Sequence, residues 1–189
     1  MNKEIITNEE FCYKNKNPLV NIYFNGLLNL AINLSGCWKN KNVPVILDFG
    51  CSSQQLKKIL IKRKIEFNYV GYDIDSKYSD IDDYTKLHPD YIFCINVLEH
   101  LSINELREVL HNFKKMNKDV RIISAVPGKN FLSDFLNKNV SDKINWEHKS
   151  YQVHKSTFMQ VLKILNDNCR LLRSKDYMLI QKVQLWNFV

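Results

Sequence analysis

Short apolar runs alternate with helical patterns along most of the chain. The run Val45–Phe49 precedes a segment in which Leu56, Ile59 and Leu60 fall on one helical face. Three further apolar runs follow, "FNYVGYD", "YIFCINV" and "RIISAV". This alternation predicts an α/β fold whose consecutive strands are parallel and joined by right-handed crossovers.

The end of the chain predicts a hairpin. After a helical pattern, "CRLLRSKDYMLIQKVQLW" indicates two strands around a charged turn at residues 173–176. Earlier, only "SKYSDIDDYTKLHP" separates two of the central strands. This segment is barely long enough for one strand and one crossover, so we expect the second helix of a doubly wound fold to be reduced to a turn.

The segment before the first strand predicts one amphipathic helix. In "PLVNIYFNGLLNLAINL", asparagine recurs every fourth residue from Asn21 to Asn33, which places the polar side chains on one face. The pattern favours a helix packed on the domain over a membrane span or an interfacial helix, since the stripe has no Lys or Arg. We therefore divide the chain into an N-terminal helical extension, 1–40, and a main domain, 41–189.

Composition indicates a single soluble core. The chain has 189 residues, 45% hydrophobic and 25% charged, with a net charge of +7. The excess of basic residues favours anionic partners, yet these residues are scattered, which is typical of a solvated surface more than of a nucleic-acid site. Five cysteines without a C-x-x-C pair, and an N-terminus without an apolar signal sequence, predict free thiols and a cytoplasmic location.

Polar residues gather where the predicted parallel strands end. In open α/β sheets, ligands bind beyond the carboxyl ends of the strands. Gly50 supplies a tight turn, and the helix after it directs free N–H groups at the ligand. Asp73 follows the second strand, where a carboxylate can accept both hydroxyls of a ribose. The candidates at strand ends are Asp48, Gly50, Cys51, Ser52, Asp73 and Asn96.

The stretches "VILDFGCSSQQL", "YVGYDID" and "DYIFCINVLEHLS" resemble the class I S-adenosylmethionine-dependent methyltransferases. The resemblance covers residues 43 to about 185 and implies a Rossmann-like, doubly wound, seven-stranded sheet whose last strand is antiparallel. It also implies S-adenosylmethionine as cofactor. Its methionine end is then expected near Gly50, Cys51 and Ser52, and its ribose at Asp73. Asp82 or Asp83 is expected near the adenine, with Asp48, Ile74 and Asn96 also in the cofactor site.

The chain departs from the family at its glycine-rich loop. Where the family commonly has G-x-G-x-G, this chain has Gly50, Ser52 and Gln54. S-adenosylmethionine has no pyrophosphate to enclose, so the loop needs fewer glycines than a dinucleotide site. Ser52 and Gln55 also match the S-x-x-Q pattern of a capping box. The alternative is a domain that has lost its cofactor and serves as a non-catalytic binding module.

Candidate catalytic residues lie in two places. Glu99 and His100 follow the strand "YIFCINV", and His148 and His154 lie in "NWEHKSYQVHKSTF". The latter resembles the H-x-x-x-Y-S stretch of many small-molecule methyltransferases, a position that fits a substrate lid. We expect His100 or His148 to act as general base beside Glu99.

The same residues bear on metal binding. Some methyltransferases carry an E-x-x-E-H motif that is associated with divalent-metal binding, but Asn96 occupies the first acidic position here. One carboxylate with imidazoles is a poor ligand set for Mg²⁺, so the sequence predicts a metal-independent site.

These features together predict methyl transfer to an oxygen of a small molecule or a glycan. An RNA methyltransferase is the alternative that the basic charge favours, but the sequence contains no recognisable RNA-binding module.

Overall fold

A computed structural model describes residues 18–39, 42–128 and 154–189. Six strands form one sheet in the order β2-β1-β3-β4-β6-β5. The first four strands pair in parallel, and β6 is antiparallel to both of its neighbours. The predicted α/β class and antiparallel C-terminal strand are therefore confirmed. The strands are β1 Val45–Phe49, β2 Asn68–Tyr72, β3 Tyr91–Ile95, β4 Arg121–Pro127, β5 Cys169–Tyr177 and β6 Gln181–Phe188.

Helices cover both faces of the sheet. The described α-helices are α1 Pro18–Ser35, α2 Gln55–Lys62, α3 Ile103–Met116 and α4 Phe158–Asn168. Helices α3 and α4 bury Phe113 and Val161 against one face, together with Trp186 of β6. Helices α1 and α2 bury their apolar residues against the other face. Ser102 and Glu105 form the predicted capping box at the start of α3.

Among the residues that the structure describes, the sheet has one strand fewer than predicted. Residues 73–90, all of them described, contain no strand, and a single 3₁₀ turn, Tyr84–Lys86, replaces the helix. The carboxylates of Asp73, Asp75 and Asp83 each accept a backbone N–H two residues further along the chain. Such local bonds stabilise turns at the expense of a strand, and this accounts for the reduced segment.

The asparagine stripe of α1 faces α2. Gln55 donates to Asn25 Oδ1 at 2.9 Å, and Arg63 donates to Asn33 Oδ1 at 2.7 Å. The helix is thus packed on the domain, as the pattern predicted, while the division at residues 40 and 41 stays a prediction. None of the described helices combines the length and apolar character that crossing a membrane requires.

The terminal hairpin turns later than predicted. Residues 173–176 continue β5, and the chain reverses at Met178 and Leu179, which both have left-handed backbone angles (φ +48° and +58°). The Ile180 N–H donates to the Tyr177 carbonyl across this turn at 3.1 Å. Two left-handed central residues define a type I′ turn, which favours Asn-Gly. The charged residues 173–176 led to a prediction of the turn too early in the chain. Strand β5 lies at the edge of the sheet and exposes most of these side chains, so their charge indicates exposure.

Replacing Met178-Leu179 with Asn-Gly is expected to raise the free energy of unfolding by about 1 kcal/mol, because it relieves left-handed strain. Both side chains are largely exposed, so little packing is lost. Urea unfolding measures the change. Leu179→Ala is the control, since it trims the same side chain but keeps the strain. A gain from that variant as large as from Asn-Gly would contradict the explanation.

Candidate functional site

The loop between β1 and α2 is held against the end of β2. The Gly50 and Cys51 N–H groups both donate to the Tyr72 carbonyl, at 2.7 and 3.1 Å. Gly50 has φ +79°, and Ser52 and Gln54 are also left-handed, at +44° and +54°. The backbone therefore repeats a left-handed conformation at every second residue, although only the first of the three is a glycine.

The capping box predicted from Ser52 and Gln55 is wrong. Helix α2 begins at Gln55, and its N-cap residue, Gln54, makes no capping bond with its side chain. Ser52 therefore lies too far ahead of the helix to cap it. The Gln55 side chain instead bonds to Asn25 of α1.

Asp73 holds the loop in place and still presents its carboxylate. Its Oδ2 accepts the Ser52 N–H at 2.8 Å, and its Oδ1 accepts the Asp75 N–H at 3.0 Å. Each carboxylate oxygen retains a second lone pair, so both can accept hydroxyls of a bound ribose. Beside it Ile74 is 81% exposed, and the side chain of Asp82 is exposed as well. Asp83, the alternative to Asp82, caps the 3₁₀ turn Tyr84–Lys86.

Asp73→Asn should weaken binding of S-adenosylhomocysteine about 10- to 100-fold, since hydrogen bonds to a charged acceptor are lost. The amide keeps one oxygen for the Ser52 N–H, so the loop itself should persist. Calorimetric titration measures the affinity. Asp119→Asn serves as the matched control, since Asp119 is exposed and has no place in the predicted site. Equal losses in the two variants would contradict a specific role for Asp73.

Asp80, in the segment after β2, bonds to the loop in a contact that the sequence did not reveal. Its Oδ2 accepts the Gly71 N–H at 2.9 Å, and its Oδ1 accepts the Gln54 side-chain amide at 2.8 Å. Gln54 also donates to the Tyr78 carbonyl at 3.3 Å. Gln54, which occupies the third glycine position, thus connects the loop to the segment after β2. No pattern in the sequence marks this pairing.

A buried carboxyl group lies beneath the loop. Asp48 is 6% exposed and accepts a hydrogen bond from the Tyr69 hydroxyl at 2.7 Å. Burial raises the pKa of Asp48 to about 7; the bond from Tyr69 opposes the rise, and the charges of Asp73 and Asp80 add to it. A concentration of carboxylates at this point favours a ligand with positive charge.

Cys51 follows Gly50 in the loop, and its side chain is buried. Its sulfur contacts the Tyr78 carbonyl at 3.3 Å, and burial raises the pKa of its thiol. The four described cysteines, Cys37, Cys51, Cys94 and Cys169, are all free and buried.

Two buried polar atoms near the loop are available to a ligand. Asn96 follows β3 with a left-handed backbone (φ +56°), and its N–H donates to the Ala125 carbonyl at 2.9 Å. Within the described part of the chain, Asn96 Oδ1 and Ser53 Oγ are buried without a hydrogen-bond partner. Such atoms are costly unless a ligand satisfies them. The residues around the loop therefore fit a polar, cationic cofactor.

Glu99, His100 and His154 come together beyond the end of β3. One ligand atom from each lies within 4.8 Å of the others. Glu99 and His100 belong to the 3₁₀ turn Leu98–His100, and the rings of His100 and His154 are 5.1 Å apart and steeply inclined. Burial raises the pKa of the Glu99 carboxyl to about 8, and desolvation lowers the pKa of His154.

The predicted pairing of His100 with His148 is not tested, because His148 lies outside the described residues and stays a prediction. The sequence placed His154 in a lid segment and not in the catalytic group. A usable signal was present, since Thr157 and Gln160 form a capping box that begins α4 just after His154. Ser156 joins this segment to the turn through two hydrogen bonds, from its N–H to the Glu99 carbonyl (3.1 Å) and from its hydroxyl to the Leu101 carbonyl (2.6 Å).

An apolar cavity of about 540 Å³ lies between the end of β4, the start of α4 and the terminal hairpin. Gly128 after β4 borders it, as does Thr157, the N-cap residue of α4, which follows His154 by three residues. Its walls are mainly apolar, and its polar members include Asp176 and Lys182, which pair with each other at 3.1 Å. The apolar lining residues are Phe158, Met159, Leu179 and Ile180.

Residues 28–174 match the family model described as "Methyltransferase domain". The chain belongs to the methyltransferase domain family. This match covers most of the chain. Together with solved methyltransferase structures that hold SAM or SAH, it confirms the predicted class I S-adenosylmethionine-dependent methyltransferase and its cofactor. A search of curated proteins gives no match.

Solved structures share the fold of this methyltransferase at low identity. The PH0226 protein from Pyrococcus horikoshii OT3 has a TM-score of 0.66 at 12% identity, over 96% of each chain. Magnesium protoporphyrin IX methyltransferase (ChlM) from Synechocystis PCC 6803, solved with bound SAM, has a TM-score of 0.60 at 14% identity, over 93% of this chain and 86% of that one. An O-methyltransferase family protein from Burkholderia thailandensis has a TM-score of 0.62 at 8% identity, over 89% and 57%.

Proposed function

We propose that this methyltransferase binds S-adenosylmethionine along residues 50–54 and Asp73, and methylates a hydroxyl oxygen of an apolar small molecule. One observation carries the proposal. The loop after β1 and the Glu99–His100–His154 cluster after β3 follow the carboxyl ends of neighbouring parallel strands. Ligands of open α/β sheets bind at that edge, so the cofactor and a proton-removing group meet there.

The chain's own residues would hold each part of the cofactor. Asp73 accepts the ribose hydroxyls, and the exposed Ile74 side chain offers an apolar surface beside them. The unpartnered Oδ1 of Asn96 accepts a donor such as the ammonium of the methionine end. Burial raises the pKa of Asp48 beneath the loop to about 7, and a cationic ligand would favour its ionised form. These assignments follow from the donors and acceptors that the loop leaves open.

S-adenosylmethionine, when bound, supplies a methyl group that is attached to a positively charged sulfur. After transfer, this sulfur is a neutral thioether in the product form of the cofactor. The hydroxyl proton of the acceptor has to leave as its oxygen takes the methyl group. We assign removal of that proton to the Glu99–His100–His154 cluster. The two hydrogen bonds of Ser156 hold the His154 segment against Glu99 before any substrate arrives, which keeps the cluster ordered.

The cavity beside the cluster supports an apolar acceptor. Its volume of about 540 Å³ lies in the usual range for small-molecule pockets, and its walls include Phe158, Met159 and Ile180. A glycan or an RNA backbone would place many polar groups against this surface without partners. The names of structural neighbours agree with a small-molecule acceptor, as they include a magnesium protoporphyrin IX methyltransferase and a pyocyanin biosynthetic protein.

Methyl transfer from S-adenosylmethionine carrying an isotopic methyl label tests the proposal. Three matched panels would be offered: hydroxylated aromatic compounds, sugars with free hydroxyls, and short RNAs. We expect labelled products from the aromatic panel. Each product should carry one labelled methyl group, bound to an oxygen atom in place of the hydroxyl proton. Label confined to RNA or sugars would overturn the acceptor class. Cofactor binding without transfer to any panel would favour the non-catalytic binding module.

A further inference from the structure

We propose that Glu99, His100 and His154 form a binding site for a divalent transition-metal cation of the zinc and cobalt type. The three side chains offer two imidazole nitrogens and one carboxylate oxygen, all within 4.8 Å of one another. Catalytic zinc sites use this ligand set, three protein ligands with one position open to water or substrate. Imidazole nitrogen also favours zinc and cobalt over magnesium.

The distances require only a small closure. Ligand atoms of a tetrahedral zinc lie roughly 3.3 Å apart when the metal–ligand bonds are about 2.0–2.1 Å long. Glu99 and His100 are already neighbours on one 3₁₀ turn. The remaining adjustment falls to His154, whose side chain is exposed and can change its rotamer without repacking the core.

A second observation points to a ligand at the same place. Glu99 is 2% exposed, and within the described residues its Oε2 has no hydrogen-bond partner. A buried carboxyl group is strongly unfavourable in its ionised form unless it is paired or binds a metal. Among described residues, the group that includes this oxygen is completed by His100 and His154. A cation between them would satisfy the carboxylate that the fold buries.

The fold also orders the third ligand. Ser156 is 2% exposed and bonds to the Glu99 and Leu101 carbonyls, so the segment that carries His154 is joined to the segment that carries the other two ligands. Lys155 pairs with Glu105 of α3 at 3.2 Å on the outer side. Ser156 is therefore a positioning residue. It raises cation affinity by fixing the position of the backbone that carries His154.

This site differs from the metal-independent one predicted from the sequence. That prediction considered one carboxylate with imidazoles as a ligand set for Mg²⁺ and found it poor. It assigned His154 to the lid segment. With His154 beside Glu99, the ligand set suits a softer cation. Its consequence for catalysis rests on the proposed function and refines it. With its side chains bound to a cation, the cluster would not accept the proton itself. The cation would bind the acceptor hydroxyl oxygen and lower the pKa of that hydroxyl, so that its proton passes to water.

Titration of the untagged, metal-stripped chain with Co²⁺, followed by visible absorption, tests the site without cofactor or acceptor. We expect one bound Co²⁺ per chain, displaced by Zn²⁺ and not by millimolar Mg²⁺. His154→Ala and Glu99→Gln should each weaken binding by at least about 10-fold, and Ser156→Ala should weaken it less. His88→Ala and His111→Ala remove exposed histidines elsewhere and should change nothing.

Three results would overturn the cation site. They are no saturable binding, binding unaffected by His154→Ala, and a thiolate-to-cobalt charge-transfer band, which would mean that cysteines bind the metal. Glu99 is buried, so its variant needs an intact thermal transition to count, whereas His154 is exposed and its variant tests the site even if Glu99→Gln fails to fold. Since no cofactor is present, the outcome is independent of methyl transfer.

Discussion

Gly50→Ala is expected to destabilise the chain by roughly 3 to 5 kcal/mol and to abolish measurable cofactor binding, because backbone strain and overpacking act together. Gly50 has φ +79°, a region that disfavours alanine. A Cβ at this position would overlap Cγ2 of Val97 and lie 3.1 Å from its Cγ1. Val97 is β-branched and stiff at χ1, so it cannot turn aside easily.

Gly36 provides a control for the cost of left-handed backbone strain. Gly36, which follows the end of α1, has φ +67°, and a Cβ there would meet nothing within 4 Å. Gly36→Ala should therefore show only the strain, about 1 to 2 kcal/mol. Adding Val97→Ala to Gly50→Ala should recover part of the loss. Urea unfolding measures all four proteins, and equal losses for the two glycine variants would contradict the steric explanation.

Asp48→Asn is expected to stabilise the cofactor-free chain at pH 8 by about 2 to 4 kcal/mol and to have little effect near pH 4. Burial raises the pKa of Asp48 from 3.8 to about 7 in the folded chain. Between these values the folded chain keeps a proton that the unfolded chain has lost, so the free energy of unfolding falls as pH rises. Asparagine is neutral throughout and keeps an oxygen for the Tyr69 hydroxyl.

Chemical unfolding of wild type and variant from pH 4 to pH 8 measures this difference. The gap between the two proteins should open through the window from about pH 4 to pH 7 and then stay constant. Asp119→Asn is the control, since Asp119 is exposed. A gap that is independent of pH, or one that the Asp119 variant reproduces, would show that the Asp48 carboxyl does not carry the penalty.

The parts of the fold that could be predicted have strong local signals. Strands β1, β3 and β4 are buried apolar runs, and the start of α3 carries a capping box in which Ser102 and Glu105 bond reciprocally. The missing strand and the late hairpin turn depend on the competition between local turns and sheet pairing. Charged residues on the exposed edge strand β5 look like a turn in the sequence, because polarity indicates exposure and not chain reversal.

The candidate site also contains residues that the sequence could predict and residues that it could not. Asp73 and Asn96 were predictable because parallel strands bring their carboxyl ends to one edge of the sheet. The roles of Asp80 and His154 depend on side-chain contacts between segments far apart in the chain. Asp80 meets Gln54 across 26 residues, and Ser156 reaches Leu101 across 55. Hydrophobic periodicity contains no information about such contacts, so they emerge only from the folded structure.

The central claim is that a loop with Ser52 and Gln54 at the second and third glycine positions still binds S-adenosylmethionine. Calorimetric titration of the wild-type chain with S-adenosylhomocysteine, the product form of the cofactor, tests this most directly. The account predicts saturable one-to-one binding in the micromolar range. The absence of binding at millimolar ligand would contradict it, and would mean that the left-handed loop is a remnant that no longer holds the cofactor.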